Sequence, residues 1–279
     1  AKVPPEALDG IDSILHLAGE NIASQRWSAK RKKSLYESRI RGTQNLIKTL
    51  KELPPKDRPK ILIAASAIGF YPDQGDEILT EESRSGDGFL SKLCVDWEGA
   101  VDTANELGLR VTKMRLGIVL AKNGGALSKM GPVSLGGGQQ WVSWIHIEDL
   151  CSFIRTALDN SAISGVYNLV TPHPIRQHQL ARHLAKDFPL PFIPSVPSAL
   201  LKVILGELSQ IILASQKVLP ERTQRTGFRF KYPTIEQALD SLKTARGFLQ
   251  SQFSASQFVR QPIQNVFTYF SKAENLQEL

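Results

Sequence analysis

Short apolar runs alternate with amphipathic stretches along the first 171 residues. The run IDSILHL (11–17) ends in AGEN and has the length and bounds of a buried strand followed by a turn. Beyond Ser28 the period changes. Leu35, Ile40, Leu46, Ile47 and Leu50 recur at near-helical intervals until Pro54-Pro55 ends the pattern. ILIAASAIGFY (61–71) predicts a second strand, residues 89–107 a second helix stopped at Gly108, and VTKMRLGIVL (111–120) a third strand. Glycine punctuation follows at Gly124-Gly125 and Gly136-Gly137-Gly138. WVSWIHIEDLCSFIRTAL (141–158) then reads as a short strand running into a helix, and GVYNLVT (165–171) as another strand. This repeated alternation implies an α/β fold with a parallel sheet and crossover helices.

Proline becomes dense between Pro172 and Pro197, so a boundary to a small, mostly helical C-terminal lobe is placed at residue 172. Within that lobe LLKVILGELSQIILASQKVL (200–219) predicts one apolar helix of about five turns. Lys202, Glu207 and Gln210 interrupt it, so it does not read as a membrane span. From Phe253 a strand is expected, and Pro262 then opens an amphipathic helix with Ile263, Val266, Phe267 and Phe270 on one face. The expected units are 1–171, 172–248 and 249–279. No internal repeat or low-complexity tract is visible.

Composition narrows the class. A 279-residue chain with 42% hydrophobic residues buries a full core. Its N-terminus, AKVPPEALDG, lacks the charged start and apolar centre of a signal peptide. Cys94 and Cys151 lie in helix-like apolar contexts without C-x-x-C spacing, which suggests two buried thiols. Together these point to the cytoplasm, or an equivalent reducing compartment such as a plastid stroma. The net charge of +7 is local: residues 24–60 carry +9 and the remainder about −2. Such a patch is a solvated helix face, a docking surface for nucleotide phosphates, or a nucleic-acid surface. No aromatic-interleaved RNA motif or helix-turn-helix signature accompanies it.

HLAGEN, SRIRGTQNL, ASAIGFYPDQGDE, MRLGIVL and SWIHIEDL follow one another in the order and spacing of the extended short-chain dehydrogenases/reductases. Together with GELSQIILASQKVLP and GFRFKYPTIEQAL, they make the chain resemble the NAD-dependent epimerase-like branch, also described as SulA-like cell-division inhibitors, from residue 5 to about 245. The resemblance implies a Rossmann-like doubly wound sheet holding NADP(H) at the carboxyl ends of its strands. On that reading Ala18, Gly19 and Glu20 follow the first strand beside the cofactor. Ser66 and Ala67 close the second near the nicotinamide, and Arg115, Leu116 and Gly117 follow the third. Each has a plain structural alternative: a strand-turn glycine for Gly19, a strand-end hydroxyl for Ser66, an interstrand ion pair for Arg115. His146 and Asp149 are expected to fix the helix that follows them.

Two parts of the family pattern are absent from these residues. The opening strand, G-x-x-G-x-x-G turn and helix that hold a pyrophosphate do not occur, so the chain is expected to be a fragment lacking its glycine-loop unit. The remaining candidate for an anion cradle is Arg26, Lys30, Arg31 and Lys32. The Tyr-x-x-x-Lys pair that serves as acid/base is also missing. Leu90 stands at the tyrosine position and Cys94 at the lysine position, counted from Glu98, and Arg39 replaces a usual asparagine. Ser66 and Tyr71 are the catalytic candidates, with Glu20 and Cys94 as further substitute acids. The loop between Lys129 and Trp141 is shorter than the family's. FSASQFVRQPIQNVFTYFSKAENLQEL (253–279) resembles the start of a helix-grip, lipid-or-polyketide-binding domain, with a docked C-terminal helix as the alternative.

The expected function is an NADP(H)-binding epimerase or oxidoreductase acting on a small molecule the sequence does not name. One alternative is a non-catalytic, cofactor-sensing regulator that meets a division-machinery protein in cell or plastid division. The other is nucleic-acid binding through residues 24–60.

Overall fold

The computed structural model describes residues 3–122, 126–127, 130–186, 193–244 and 266–268. Its centre is a parallel sheet of β1 (Ser13–His16), β2 (Ile61–Ala67), β4 (Arg110–Leu116) and β9 (Gly165–Leu169), in that spatial order. A two-residue strand, β3 (Ile78–Leu79), lies outside it. The sheet is parallel because helices return the chain across its faces. α1 (Ala29–Glu52) and α2 (Phe89–Asp102) connect its first three strands, and α3 (Ile147–Asp159) precedes β9.

β2 shows why both faces are covered. Leu62 and Ala64 pack with Leu46, Ile47, Leu50, Leu93 and Trp97 of α1 and α2. The alternate residue Ile63 packs with Phe153 and Ile154 of α3, beside Met114 and Leu169. A strand buried on both sides reads as a continuous apolar run, which is the pattern of ILIAASA. Each fully buried aliphatic side chain in these layers stabilises the fold by about 1.5–3 kcal/mol. α1 starts where the Ser28 side chain accepts a hydrogen bond from Arg31 N at 3.1 Å, satisfying a free donor of the first turn. Its last carbonyls are met by Arg58 Nε, 3.0 Å from Leu50 O. Gly108, at φ 84°, provides the left-handed turn between the end of the α2 segment and β4.

The strand expected over 111–120 is two strands. β4 ends at Leu116, and β5 (Ile118–Leu120) leaves the main sheet to pair with β8 (Trp144–His146). Gly117 is the break: a Cβ there would lie 2.6 Å from both Ser143 O and Val170 Cγ1, so only glycine lets the two layers meet. Between β5 and β8 lie β6 (Val133–Leu135) and β7 (Trp141–Val142). The second strand also ends earlier than expected, at Ala67, and Ile68–Phe70 forms a 3-10 turn.

After residue 172 the chain pairs back onto what precedes it. β10 (Ile175–Arg176) joins β7, β11 (Ile193–Val196) joins β6, and β12 (Lys217–Val218) joins β3. The helices here are α4 (Gln177–Ala185), α5 (Ser198–Leu205), α6 (Ser209–Leu213), α7 (Glu221–Arg225) and α8 (Ile235–Thr244). The single five-turn helix expected over 200–219 is therefore broken. Gly206, at φ 59° and ψ −138°, ends α5 in a conformation reserved for glycine, a 3-10 turn leads into α6, and residues 217–218 are extended.

Part of the C-terminal helix expected after Pro262 is also extended. Val266–Thr268 forms β13, parallel to β1 with Ser13 opposite Val266. The β-favouring triplet Val-Phe-Thr satisfies edge amides and carbonyls of β1 that a helix would leave unpaired. The strand expected from Phe253 lies outside the described residues. Cys94 is buried and Cys151 half-buried, and both are free thiols.

Candidate functional site

Three strands of the parallel sheet end side by side. His16 lies opposite Ala64, and Ala67 opposite Leu116, so residues 17–20, 67–70 and 116–119 share one edge. Each segment passes there from buried to accessible. Ala18 and Ala67 supply small side chains along this ledge, while the space a side chain would take at Gly19 is filled by Arg39 and at Gly117 by Ser143 and Val170. A Cβ at Gly19 would sit 3.2 Å from the Arg39 guanidinium carbon. Arg39 spans the position by donating to Glu20 O at 2.9 Å and stacks over Trp97.

Beneath the ledge lies a buried polar chain. Ser66 Oγ donates to Glu98 Oε1 at 2.6 Å. Arg115 grips the same carboxylate with two bonds, Nε to Oε1 at 2.8 Å and Nη2 to Oε2 at 2.9 Å. Its Nη1 donates to the Tyr71 hydroxyl at 2.9 Å, and that hydroxyl donates to Asn168 Oδ1 at 2.7 Å. The Arg115 guanidinium also lies over the Phe70 ring, 3.4 Å from its centroid. Arg115 and Glu98 are only 6% and 8% exposed at their side chains, so each charge depends on the other.

The register explains the meeting. Ser66 and Arg115 are direct neighbours on β2 and β4, so their side chains share the sheet face covered by α2, where Glu98 is placed. Asn168 lies opposite Arg115 on β9. Asn168 ties in the C-terminal segment: its N donates to Glu81 Oε1 at 2.9 Å, its Nδ2 to Leu219 O at 3.0 Å, and its O accepts from Thr223 at 3.0 Å.

The structure brings Ser66, Tyr71 and Arg115 together and places Glu20 elsewhere. Burial pushes the Tyr71 phenol up to about 12, against the opposing charge of Arg115. Burial, and next the negative charge of Glu98, push the Cys94 thiol up to about 12 as well. Both groups therefore hold their protons at neutral pH. Leu90, Cys94 and Glu98 share one face of α2 by their four-residue spacing. Leu90 packs with Trp27, Leu35 and Leu208, and Cys94 Sγ would lie 3.8 Å from a Cβ at Gly69. Glu20 receives hydrogen bonds from Arg31 and Ser34 at the start of α1.

Of the basic cradle, Arg31 pairs with Glu20, Lys32 pairs with Glu207, and Arg26 donates to Val203 O at 3.3 Å. His146 caps α3, its Nδ1 accepting from Glu148 N at 3.1 Å, and Asp149 accepts from the backbone of Lys231 and Tyr232. His16 is turned away from the ledge toward Thr43, with 2.9 Å between Nε2 and Oγ1. Sequence reasoning treated Glu98 only as a landmark and did not single out Asn168 or Glu81. The available signal was a polar residue inside the apolar strand GVYNLV.

The NAD dependent epimerase/dehydratase family matches residues 5–169, and a domain of unknown function, DUF1731, matches residues 196–242. The chain is 38% identical over 242 residues to the chloroplastic SDR39U1 homologue of Arabidopsis thaliana, an epimerase family protein; the match covers 84% of the chain and 69% of that protein. It is 39% identical over 249 residues to the epimerase family protein SAR0825 of Staphylococcus aureus, covering 86% of the chain and 81% of that relative. Among solved structures it is similar to human SDR39U1 (isoform 2) with NADPH, at a TM-score of 0.77 and 29% identity over 88% of this chain and 84% of that one. It is also similar to the nucleoside-diphosphate sugar epimerase of Corynebacterium glutamicum, at a TM-score of 0.67 and 30% identity over 92% and 54%. The chain belongs to the NAD-dependent epimerase/dehydratase family, among the SDR39U1-like epimerase family proteins.

Proposed function

We propose that the protein binds NADP(H) along the ledge at residues 17–20, 67–70 and 116–119 and acts there on a small-molecule substrate, as an epimerase or oxidoreductase. The observation that carries this reading is the alignment of three accessible strand ends, lined by Ala18, Gly19, Ala67 and Gly117, at the edge where open α/β sheets take ligands. Ala18 and Ala67 fit the nicotinamide and ribose half of such a cofactor, because their small side chains admit a flat ring against the backbone. Among the described residues no glycine-rich loop receives a pyrophosphate, and of the basic cradle Arg31 and Lys32 are engaged by Glu20 and Glu207.

When bound, the nicotinamide supplies or accepts hydride. The chain's own contribution is orientation. Ser66, buried with its proton committed to Glu98, fixes that carboxylate beneath the ledge. Arg115 holds Glu98 in place, and Tyr71 braces Arg115 from the other side. In this reading the described residues of 172–248 form a lobe that pairs with β3, β6 and β7.

Quenching of tryptophan fluorescence on titration with NADPH tests the proposal. Saturable quenching, weakened when Gly19→Val fills the space against Arg39, supports it, and a flat titration with the whole chain overturns it. One observation favours a second reading, a catalytically silent cofactor sensor such as a division regulator meeting a division-machinery protein. Leu90 and Cys94 occupy the α2 face where an acid/base pair would stand, and neither exchanges a proton at neutral pH. Turnover of any defined substrate by the purified chain separates the two. The ion pairing of Arg31 and Lys32 favours both over nucleic-acid binding.

A further inference from the structure

α5 is a two-turn helix that projects from the surface, with six of its eight residues exposed. Leu201 anchors it, and Leu205 packs toward Trp27 and Leu208. Its outer side carries Leu200, Val203 and Ile204, which are 48%, 73% and 54% exposed. Spacings of three and four residues put them on one stripe. Only Ile78 and Val95 are comparably exposed large apolar residues among those described, and neither lies on this helix. An apolar stripe concentrated on one projecting helix marks a contact surface.

The stripe is flanked by cations. The Arg26 guanidinium donates to Val203 O at 3.3 Å and lies close to Gly206, so it borders the stripe directly. Lys202 stands exposed within α5, which ends near the first turn of α1. Lys32 joins that turn to Glu207, just beyond α5, by an ion pair. Among the described residues Arg26 and Lys202 make no ion pair, whereas the acids nearest them, Glu20 and Glu207, do. The surface thus pairs a convex apolar stripe with an uncompensated positive border.

We propose that this face docks on an anionic phospholipid bilayer, with Leu200, Val203 and Ile204 entering the acyl boundary and Arg26 and Lys202 meeting head-group phosphates. Each half of the surface supplies what the other lacks. Three aliphatic side chains bind an interface weakly by themselves, and a few cations bind anionic lipid reversibly; together they make a salt-sensitive peripheral contact. A convex helix with a cationic border matches a flat anionic sheet in both shape and charge.

Co-sedimentation of the whole chain with phosphatidylcholine vesicles, with or without roughly one third phosphatidylglycerol, tests this. The expected result is capture by the phosphatidylglycerol vesicles only. The double variants Val203→Asp/Ile204→Asp and Arg26→Glu/Lys202→Glu should each lower capture by about tenfold, with unchanged melting temperatures because every altered side chain is exposed. No capture by phosphatidylglycerol vesicles overturns the proposal, as does capture that both variants leave intact. Concentration-dependent dimerisation abolished by Val203→Asp/Ile204→Asp in vesicle-free buffer, without vesicle binding, also overturns it and makes the face a contact between copies.

Discussion

Glu98 Oε1 lies 2.6 Å from Ser66 Oγ and 2.8 Å from Arg115 Nε, so one buried carboxylate oxygen ties a strand-end hydroxyl to a guanidinium on the next strand. Glu98→Ala leaves Arg115 charged, buried and unpaired, and is expected to cost about 3–5 kcal/mol. Urea unfolding measures this. Replacing both partners, as in Glu98→Leu with Arg115→Met, should cost less than Glu98→Ala alone, because no uncompensated charge remains. A double variant as unstable as the single one would contradict that account of the pair.

Tyr71 is 2% exposed and bridges Arg115 and Asn168 through its hydroxyl. Tyr71→Phe keeps the ring and removes the bridge, leaving Asn168 Oδ1 without its donor. A loss of about 1–3 kcal/mol is expected. Ultraviolet titration of the folded protein should show this phenol ionising only near pH 12, later than the ordinary tyrosine value.

His16 gives a pH dependence with a definite sign. Burial lowers it from 6.5 to about 4, so the folded protein holds it neutral while the unfolded chain binds a proton below pH 6.5. The unfolded state then binds more protons, and stability falls as pH drops from about 6.5 toward 4. The contribution is fully present above that window and amounts to about 3 kcal/mol. His146 is shifted the same way by burial and adds to the slope. Unfolding free energies at several pH values should flatten in His16→Gln relative to the unaltered protein.

Gly117→Ala should destabilise by about 1–3 kcal/mol, since the new methyl group meets Ser143 O and Val170 at 2.6 Å. Gly99→Ala is the control: a Cβ there meets nothing within 4 Å, and glycine inside a helix is costly, so that variant should be neutral or slightly stabilising. Thermal melts of the two variants give the comparison.

The parallel sheet and its crossover helices were legible because their signals are local. ILIAASA is apolar on both faces, Ser28 caps α1, and Pro54-Pro55 ends it. The divisions at Gly117 and Gly206 were not legible. Hydrophobic periodicity runs straight through both, and what breaks them is contact with Ser143 and Val170 in one case and a positive φ beside Arg26 in the other. The 266–268 segment failed as a helix for a related reason, since the free edge of β1 outweighs its local pattern.

At the candidate site, Ser66 and Arg115 could be found because they sit at strand ends. Their partners come from α2, β9 and the segment before α2, and no spacing rule links Glu98, Asn168 and Glu81 to a strand as much as 97 positions away from its contact, as Tyr71 is from Asn168.

Asn168 engages its amide, its carbonyl and both ends of its side chain with Tyr71, Glu81, Leu219 and Thr223. Local opening of residues 219–223 would leave several of these groups without partners at once, at the β9 edge of the parallel sheet. That stretch is thereby tied to β9 as one cooperative unit, and the Asn168 amide, bonded to the Glu81 carboxylate, should exchange its hydrogen only when Glu81 and residues 219–223 open together.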